Sequence, residues 1–180
     1  MITRTTCRVC DGAPVPIFSL GDHYVSDFVA PGACDGTKAP LELVLCRRCH
    51  LLQLKHTVPA ENMYRNYWYR SGTNNTMRGA LADIANTAEQ LIHLQEGDTV
   101  LDIGCHDGTL LASYKTGSLY KVGFDPAENL APLSRQLADH VVTGFFEARA
   151  FQDDPKLKNR RPKIVTSIAM FYDLEDPRQF

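Results

Sequence analysis

The 180-residue sequence lacks an excess of charge of either sign: 19 basic side chains stand against 21 acidic ones, a formal net charge of −2. A chain so balanced has no surplus of Lys and Arg for tracking a phosphate backbone, so nucleic acid is not an expected partner. It also lacks any stretch near the ~20 consecutive apolar residues that a membrane span requires, and no membrane association is expected. Residues 1–8 carry no apolar run of the secretory kind, which sets the expectation of a cytoplasmic protein. What is present is 44% hydrophobic and 22% charged residues, enough apolar material for a packed core and too much for a disordered chain.

Four of the six cysteines fall as two pairs, Cys7-x-x-Cys10 and Cys46-x-x-Cys49. A two-residue gap lets both thiolates of a pair face one ion from a tight turn. Two such turns supply four ligands in the tetrahedral geometry that suits Zn²⁺. Four protein thiolates leave no position for water, so the zinc expected here is structural. The 35 residues between the pairs exceed the usual spacing. They hold apolar stretches at 17–20, 23–29 and 41–45, the last leading into the second pair as a hairpin strand would. Three other readings compete. Two disulfides use the same residues but want an exported protein. A redox Cys-x-x-Cys wants a thioredoxin-like βαβ context. Cys46-Arg47-Arg48-Cys49-His50 also spells the c-type haem attachment pattern. His50 is expected to sit by the knuckle with a free ring, and Cys34, in a loop rich in Pro and Gly, to be an inert thiol.

Residues 59–72 crowd Tyr64, Tyr67, Trp68 and Tyr69 into six positions. Such aromatics pack domain junctions, and their polar ends also fix ligands. From about Asn74, Met77, Leu81, Ile84, Ala88, Leu91 and Ile92 recur mostly at spacings of three and four, which predicts one face of an amphipathic helix. Gly97-Asp98 ends it. Residues 1–70 carry a net charge of +2 and residues 71–180 a net −4, consistent with two units joined near residue 70.

Residues 99–103 form a short apolar run typical of a buried strand. It leads through Gly104-Cys105-His106-Asp107-Gly108 into a helix start at Thr109, the first half of a nucleotide-binding βαβ unit. The next strand, 120–124, ends in Asp125-Pro126, where a carboxylate can accept both hydroxyls of a ribose; it lies 21 residues beyond Gly104. The spacing Asp102-x-Gly104-x-x-x-Gly108 is not the Gly-x-Gly-x-x-Gly of dinucleotide sites. Carboxylates at Asp102 and Asp107 repel a pyrophosphate and suit a cofactor bearing an ammonium and a sulfonium. That charge argument favours S-adenosylmethionine over a dinucleotide or an empty turn. Cys105 is expected to pack under the loop. Residues 141–143 read as a third strand, followed by Phe145-Phe146-Glu147, an aromatic wall and polar edge for an adenine. Residues 163–171 read as a fourth strand whose end, 170–172, faces the cofactor, and 173–177 as the start of a helix.

Taken in order, Cys7-x-x-Cys10, Pro40-Leu41-x-Leu43, Cys46-x-x-Cys49-His50-Leu51-x-Gln53-Leu54, Tyr67-x-Tyr69-x-Ser71-Gly72, Asp102-Ile103-Gly104-Cys105-x-Asp107-Gly108 and Gly123-x-Asp125-Pro126 resemble the zinc-containing, S-adenosylmethionine-dependent sugar C-methyltransferases. The resemblance covers the whole sequence. It implies a nucleotide-linked deoxy-keto-sugar as substrate and a C-methyl transfer. A proton leaves the carbon next to the ketone, the enolate attacks the sulfonium methyl, and S-adenosylhomocysteine departs. It also implies that the base, a histidine downstream of the fourth strand, lies in chain this sequence does not contain. His106 stands where such proteins commonly carry asparagine. Tyr69, on the aromatic-Tyr motif, is the one catalytic candidate.

The resulting expectation is an α/β protein: a small N-terminal four-cysteine zinc-binding module at 1–58, an aromatic connector and helix at 59–97, and a truncated class I Rossmann-like methyltransferase domain at 98–180. Cofactor contacts are expected from Ser71, Asp102, Gly104, Cys105, His106, Asp107, Asp125, Pro126 and Glu147. Zinc is expected on Cys7, Cys10, Cys46 and Cys49. Four strands stand where such folds usually hold seven, so cofactor binding with little or no turnover is expected of this length of chain. The competing reading is a zinc-ribbon interaction module fused to a non-catalytic nucleotide-binding fold.

Overall fold

In the computed structural model, which describes residues 1–25, 31–32 and 36–180, the chain divides into two compact units. One is Met1–Tyr64 with Tyr172–Phe180, the other Arg65–Phe171. Cys34 and part of the 23–29 stretch lie outside the described residues.

The first unit is built on short antiparallel sheets. Strands β2 (Pro14–Tyr24), β3 (Lys38–Cys46) and β4 (Leu52–Leu54) pair in that order. A two-stranded ribbon joins β1 (Ile2–Thr3) to β5 (His56–Thr57), and a short helix α1 (Ala60–Tyr64) follows. Strand β3 is the hairpin strand expected before the second cysteine pair, and it runs directly into Cys46. Among the described residues of this unit, only Cys7, Val44, Cys46 and Gln53 are buried. So small a core needs a staple.

The second unit is a four-stranded parallel sheet. Its strands are β6 (Thr99–Ile103), β7 (Tyr120–Asp125), β8 (His140–Thr143) and β9 (Pro162–Ser167), in spatial order β8-β7-β6-β9. Short helices α3 (Thr109–Ala112), α4 (Ala131–Ser134) and α5 (Ala148–Asp153) cross between successive strands. All five residues of β6 are buried. They alternate between faces, as a strand must: Val100 packs with Leu81, Ala85, Leu110 and Leu111, while Leu101 and Ile103 pack with Val122, Phe124 and Leu157. The order places β7 and β8 on one side of β6 and β9 on the other. The carboxyl ends of β6 and β9 therefore form the switch point at which parallel sheets bind ligands.

Helix α2 (Asn75–Leu91) precedes β6. Asn74 caps it, its Oδ1 accepting the N–H groups of Thr76 at 2.8 Å and Met77 at 3.3 Å. The buried face differs from the expected one. Leu81, Ala85 and Ala88 meet the core, whereas Met77, Ile84 and Leu91 stay 37%, 38% and 76% exposed. The alanines bring the helix close to α3, and that close packing decides which side turns inward.

The fourth strand is also shorter than expected. It stops at Ser167; Ala169 takes φ 54, and a 3-10 turn, Phe171–Asp173, replaces the rest of the strand. No helix begins at 173–177. Among the described residues no helix is long and apolar enough to cross a membrane.

Candidate metal centre and cofactor site

The two cysteine pairs are carried by a repeated knuckle. In the first, Cys7 N–H donates to Gly12 O at 2.8 Å and Asp11 N–H to Cys7 O at 3.0 Å. In the second, Cys46 N–H donates to Leu51 O at 2.9 Å and His50 N–H to Cys46 O at 2.8 Å. The residue closing each turn is left-handed, Asp11 with φ 59 and His50 with φ 62. Short side chains that bond locally tolerate that region best. Sequence reading treated His50 as a bystander; its backbone is what closes the second knuckle.

All four Sγ atoms lie within 4.8 Å of one another. Cys7 and Cys49 approach to 3.5 Å, as do Cys10 and Cys46. Zinc with bonds of ~2.3 Å to four sulfurs wants edges of about 3.8 Å, so the donor set fits a tetrahedral ion. The separations far exceed a disulfide's ~2.05 Å, and Cys46 and Cys49 face Cys7 and Cys10 instead of standing apart as a haem pair. The backbone N–H of Cys49 bonds the Cys46 sulfur and, with that of Arg48, draws this thiol down against burial, while the crowded sulfurs push the Cys49 thiol up. A thiolate ready for metal results at Cys46. Gly12 is closely surrounded: a Cβ there would lie 3.2 Å from Cys46 Sγ and 3.3 Å from Cys10 Sγ.

At the switch point, Gly104 takes φ 77 and follows β6 directly. A Cβ on it would approach Met170 Cγ to 3.2 Å, so the end of the β9 segment rests on the loop. Asp125, ending β7, accepts His106 N–H on Oδ2 at 2.8 Å and Ala127 N–H on Oδ1 at 2.8 Å. Each carboxylate oxygen keeps a second lone pair. Pro126 beside it is half-buried.

Asp107 is 4% exposed. Its Oδ2 accepts Gly72 N–H at 2.7 Å, and its Oδ1 accepts the Thr109 hydroxyl at 2.6 Å and Thr109 N–H at 3.2 Å. Burial works to raise this carboxyl, but the nearby His106 ring and the bonds from Thr109 and Gly72 outweigh it and hold it well below the usual range. Its role is therefore to pin the connector turn Ser71–Thr73 onto the loop. Ser71 joins the same contact, its N–H at 3.4 Å and its hydroxyl at 3.1 Å from His106 Nδ1. The His106 ring lies between Tyr69, stacked at 5.7 Å, and Tyr67, edge-on at 5.7 Å.

Asp102 is 3% exposed and lies beneath the loop, accepting the Thr166 hydroxyl at 2.7 Å. Burial pushes it up to about 7, against the Thr166 bond and with help from the nearby Asp125 charge. Thr166 is a partner that only the fold reveals; the hydroxyl pair Thr166-Ser167 within an apolar run is the signal the sequence carries. Cys105 is 2% exposed in the core, where burial raises its thiol well above the ordinary value, so it is not a nucleophile. Phe146 turns inward, edge-on to Phe124 at 5.1 Å, while Phe145 is 37% exposed and Glu147, ahead of α5, is exposed. The fold thus gathers Ser71, Gly104, His106, Asp107 and Asp125 around one loop.

Residues 7–64 match the family described as "Putative zinc binding domain". The chain is 26% identical over 151 residues, 82% of its length, to a C-methyltransferase, NovU, of Streptomyces niveus. That stretch covers 36% of the relative. Both comparisons support the resemblance drawn from the motifs, that of a C-methyltransferase N-terminal portion, with the zinc-binding family falling on the four-cysteine unit.

Proposed function

We propose that this chain binds S-adenosylmethionine at the Gly104 loop and serves C-methyl transfer to a nucleotide-linked deoxy-keto-sugar in deoxysugar biosynthesis. The observation that carries the reading is the acidic surround of the loop. Asp107 and Asp125 place two carboxylates about one glycine turn, with the buried carboxyl of Asp102 beneath it. That field opposes a pyrophosphate and favours a ligand with cationic centres. When bound, the cofactor supplies an electrophilic methyl group. This chain's own part is to bind and orient it: Asp125 offers its spare lone pairs to the ribose hydroxyls, and the Ser71–Gly72 turn closes the loop from above. Tyr69, which stacks on His106, positions substrate in this reading. The four-thiolate zinc holds the N-terminal unit folded, in the reducing cytoplasm where such thiolates persist.

Calorimetric titration of the zinc-loaded protein with S-adenosylhomocysteine tests the reading. One saturable site is expected, lost in Asp125→Ala. Stoichiometric zinc with no affinity for S-adenosylhomocysteine would favour a zinc-ribbon interaction module on a non-catalytic fold.

A further inference from the structure

Arg8 lies inside the first cysteine pair, and Asp11 closes its turn. Both hold a segment from the other end of the sequence. Arg8 Nη1 donates to Leu174 O at 2.9 Å. Arg178 donates to both carboxylate oxygens of Asp11, at 2.7 and 3.3 Å. Arg4 donates to Glu175 O at 2.9 Å and pairs with the Glu175 carboxylate at 3.5 Å. The Arg178–Asp11 pair is exposed on both sides and contributes little by itself. The charged donors of Arg4, 15% exposed, and of half-buried Arg8 hold backbone carbonyls and bind the segment more firmly. Two of these anchors, Arg8 and Asp11, belong to the first knuckle itself.

The same segment continues the chain that covers the glycine loop. The Ser167 hydroxyl at the end of β9 lies 2.8 Å from Met170 Sδ, and Met170 Cγ would stand 3.2 Å from a Cβ on Gly104. One 3-10 turn, Phe171–Asp173, separates Met170 from Leu174. Four residues span at most about 14 Å when fully extended, and the turn shortens that reach, so this link has little slack. We propose that residues 171–178 form a tether through which the metal state of the first knuckle is felt at the Gly104 loop. With zinc on the thiolates, Arg8 and Asp11 are fixed, Leu174 and Arg178 are held, and Met170 stays seated on Gly104. Without the metal the knuckle loses its fold, its anchors are lost, and Met170 is released. The link is the chain itself. A ligand that needs the seated loop therefore binds more tightly to the zinc-loaded protein, and raises zinc affinity by the same factor. This rests on zinc occupying the four thiolates, and not on which ligand the loop takes.

Hydrogen exchange on zinc-loaded and chelator-treated protein tests the tether. The reporters are the amides of Gly104 and Cys105, bonded to Phe124 O at 2.8 and 3.0 Å, and of His106, bonded to Asp125 Oδ2 at 2.8 Å. Removing zinc is expected to speed their exchange roughly 5- to 150-fold, the range of an ordinary coupling between sites. Two variants cut the tether at its two ends. The double variant Arg4→Ala/Arg8→Ala frees the segment, and Met170→Ala removes its contact with the loop. Neither touches a thiolate, and stoichiometric zinc with protection over residues 42–52 shows that the first unit folds. In each, the three amides exchange fast in the zinc-loaded protein already, and chelation adds nothing further. Should the double variant lose its zinc, Met170→Ala alone decides. Loop amides that keep their protection while residues 4–12 exchange at the unfolded rate overturn the tether. So does an undiminished response to chelator in Met170→Ala, or a native protein that takes up no zinc. Calorimetry with S-adenosylhomocysteine reads the cofactor site separately. A loss of affinity by the same factor on zinc removal supports both readings; no affinity in either metal state removes the cofactor reading and leaves the exchange result to decide the tether.

Discussion

Asp107 accepts the backbone N–H of Gly72 at 2.7 Å across 35 residues of sequence. The same carboxylate caps Thr109 at the start of α3, so one buried side chain joins the connector, the glycine loop and the following helix. Asp107→Ala orphans these donors and should cost about 3 kcal/mol, since bonds to a charged group contribute roughly 1.5–3 kcal/mol and a buried unmet donor adds more. Urea denaturation measures it. The carboxyl is depressed in the folded state, so its contribution is complete above the ordinary carboxylate range and falls away in acid.

Asp102 behaves in the opposite sense. It is raised to about 7 by burial, so the folded protein keeps a proton that the unfolded chain releases from about pH 4 upward. The folded state is favoured most at low pH, and this contribution is lost as pH rises toward 7. Asp102→Asn should therefore gain stability relative to the native sequence between pH 5 and pH 8. Melting temperatures across that range check it; a constant difference would contradict the assignment.

Among its described residues the zinc unit buries little besides Cys7, Val44, Cys46 and Gln53, so removing the ion should unfold it. Metal analysis should find one zinc per chain. Hydrogen exchange over residues 4–12 and 42–52 should rise to the unfolded rate when a strong chelator is added, while β6 and β7 stay protected. Metal-free protein with full protection there would contradict the site.

Gly12→Ala places a methyl group 3.2 Å from Cys46 Sγ. Its predicted effect is a loss of zinc affinity of about 10-fold, the scale seen when groups next to a metal's ligands are disturbed. Competition with a chromogenic chelator measures it.

Much of this architecture is legible in local sequence. The buried run at Thr99–Ile103, the strand ending at Asp125 and the spacing of the four cysteines each carry their own pattern, and the sheet and the sulfur cluster follow. What is not legible depends on contacts distant in sequence. Periodicity puts Met77, Ile84 and Leu91 inside, but the face that meets the core is Leu81, Ala85 and Ala88. An apolar run suggested that the last strand continues past Ser167, but Ala169 turns left-handed and Met170 folds onto Gly104. Asp107 is legible as a carboxylate in the loop, but its bond to Gly72, 35 residues away, needs the fold to appear.

In the proposed function this glycine loop takes S-adenosylmethionine and not a dinucleotide. Parallel calorimetric titrations of the zinc-loaded protein with S-adenosylmethionine and with NAD test it most directly. One saturable site for S-adenosylmethionine and no detectable heat with NAD is the predicted result. Binding of NAD, or of neither, would contradict it.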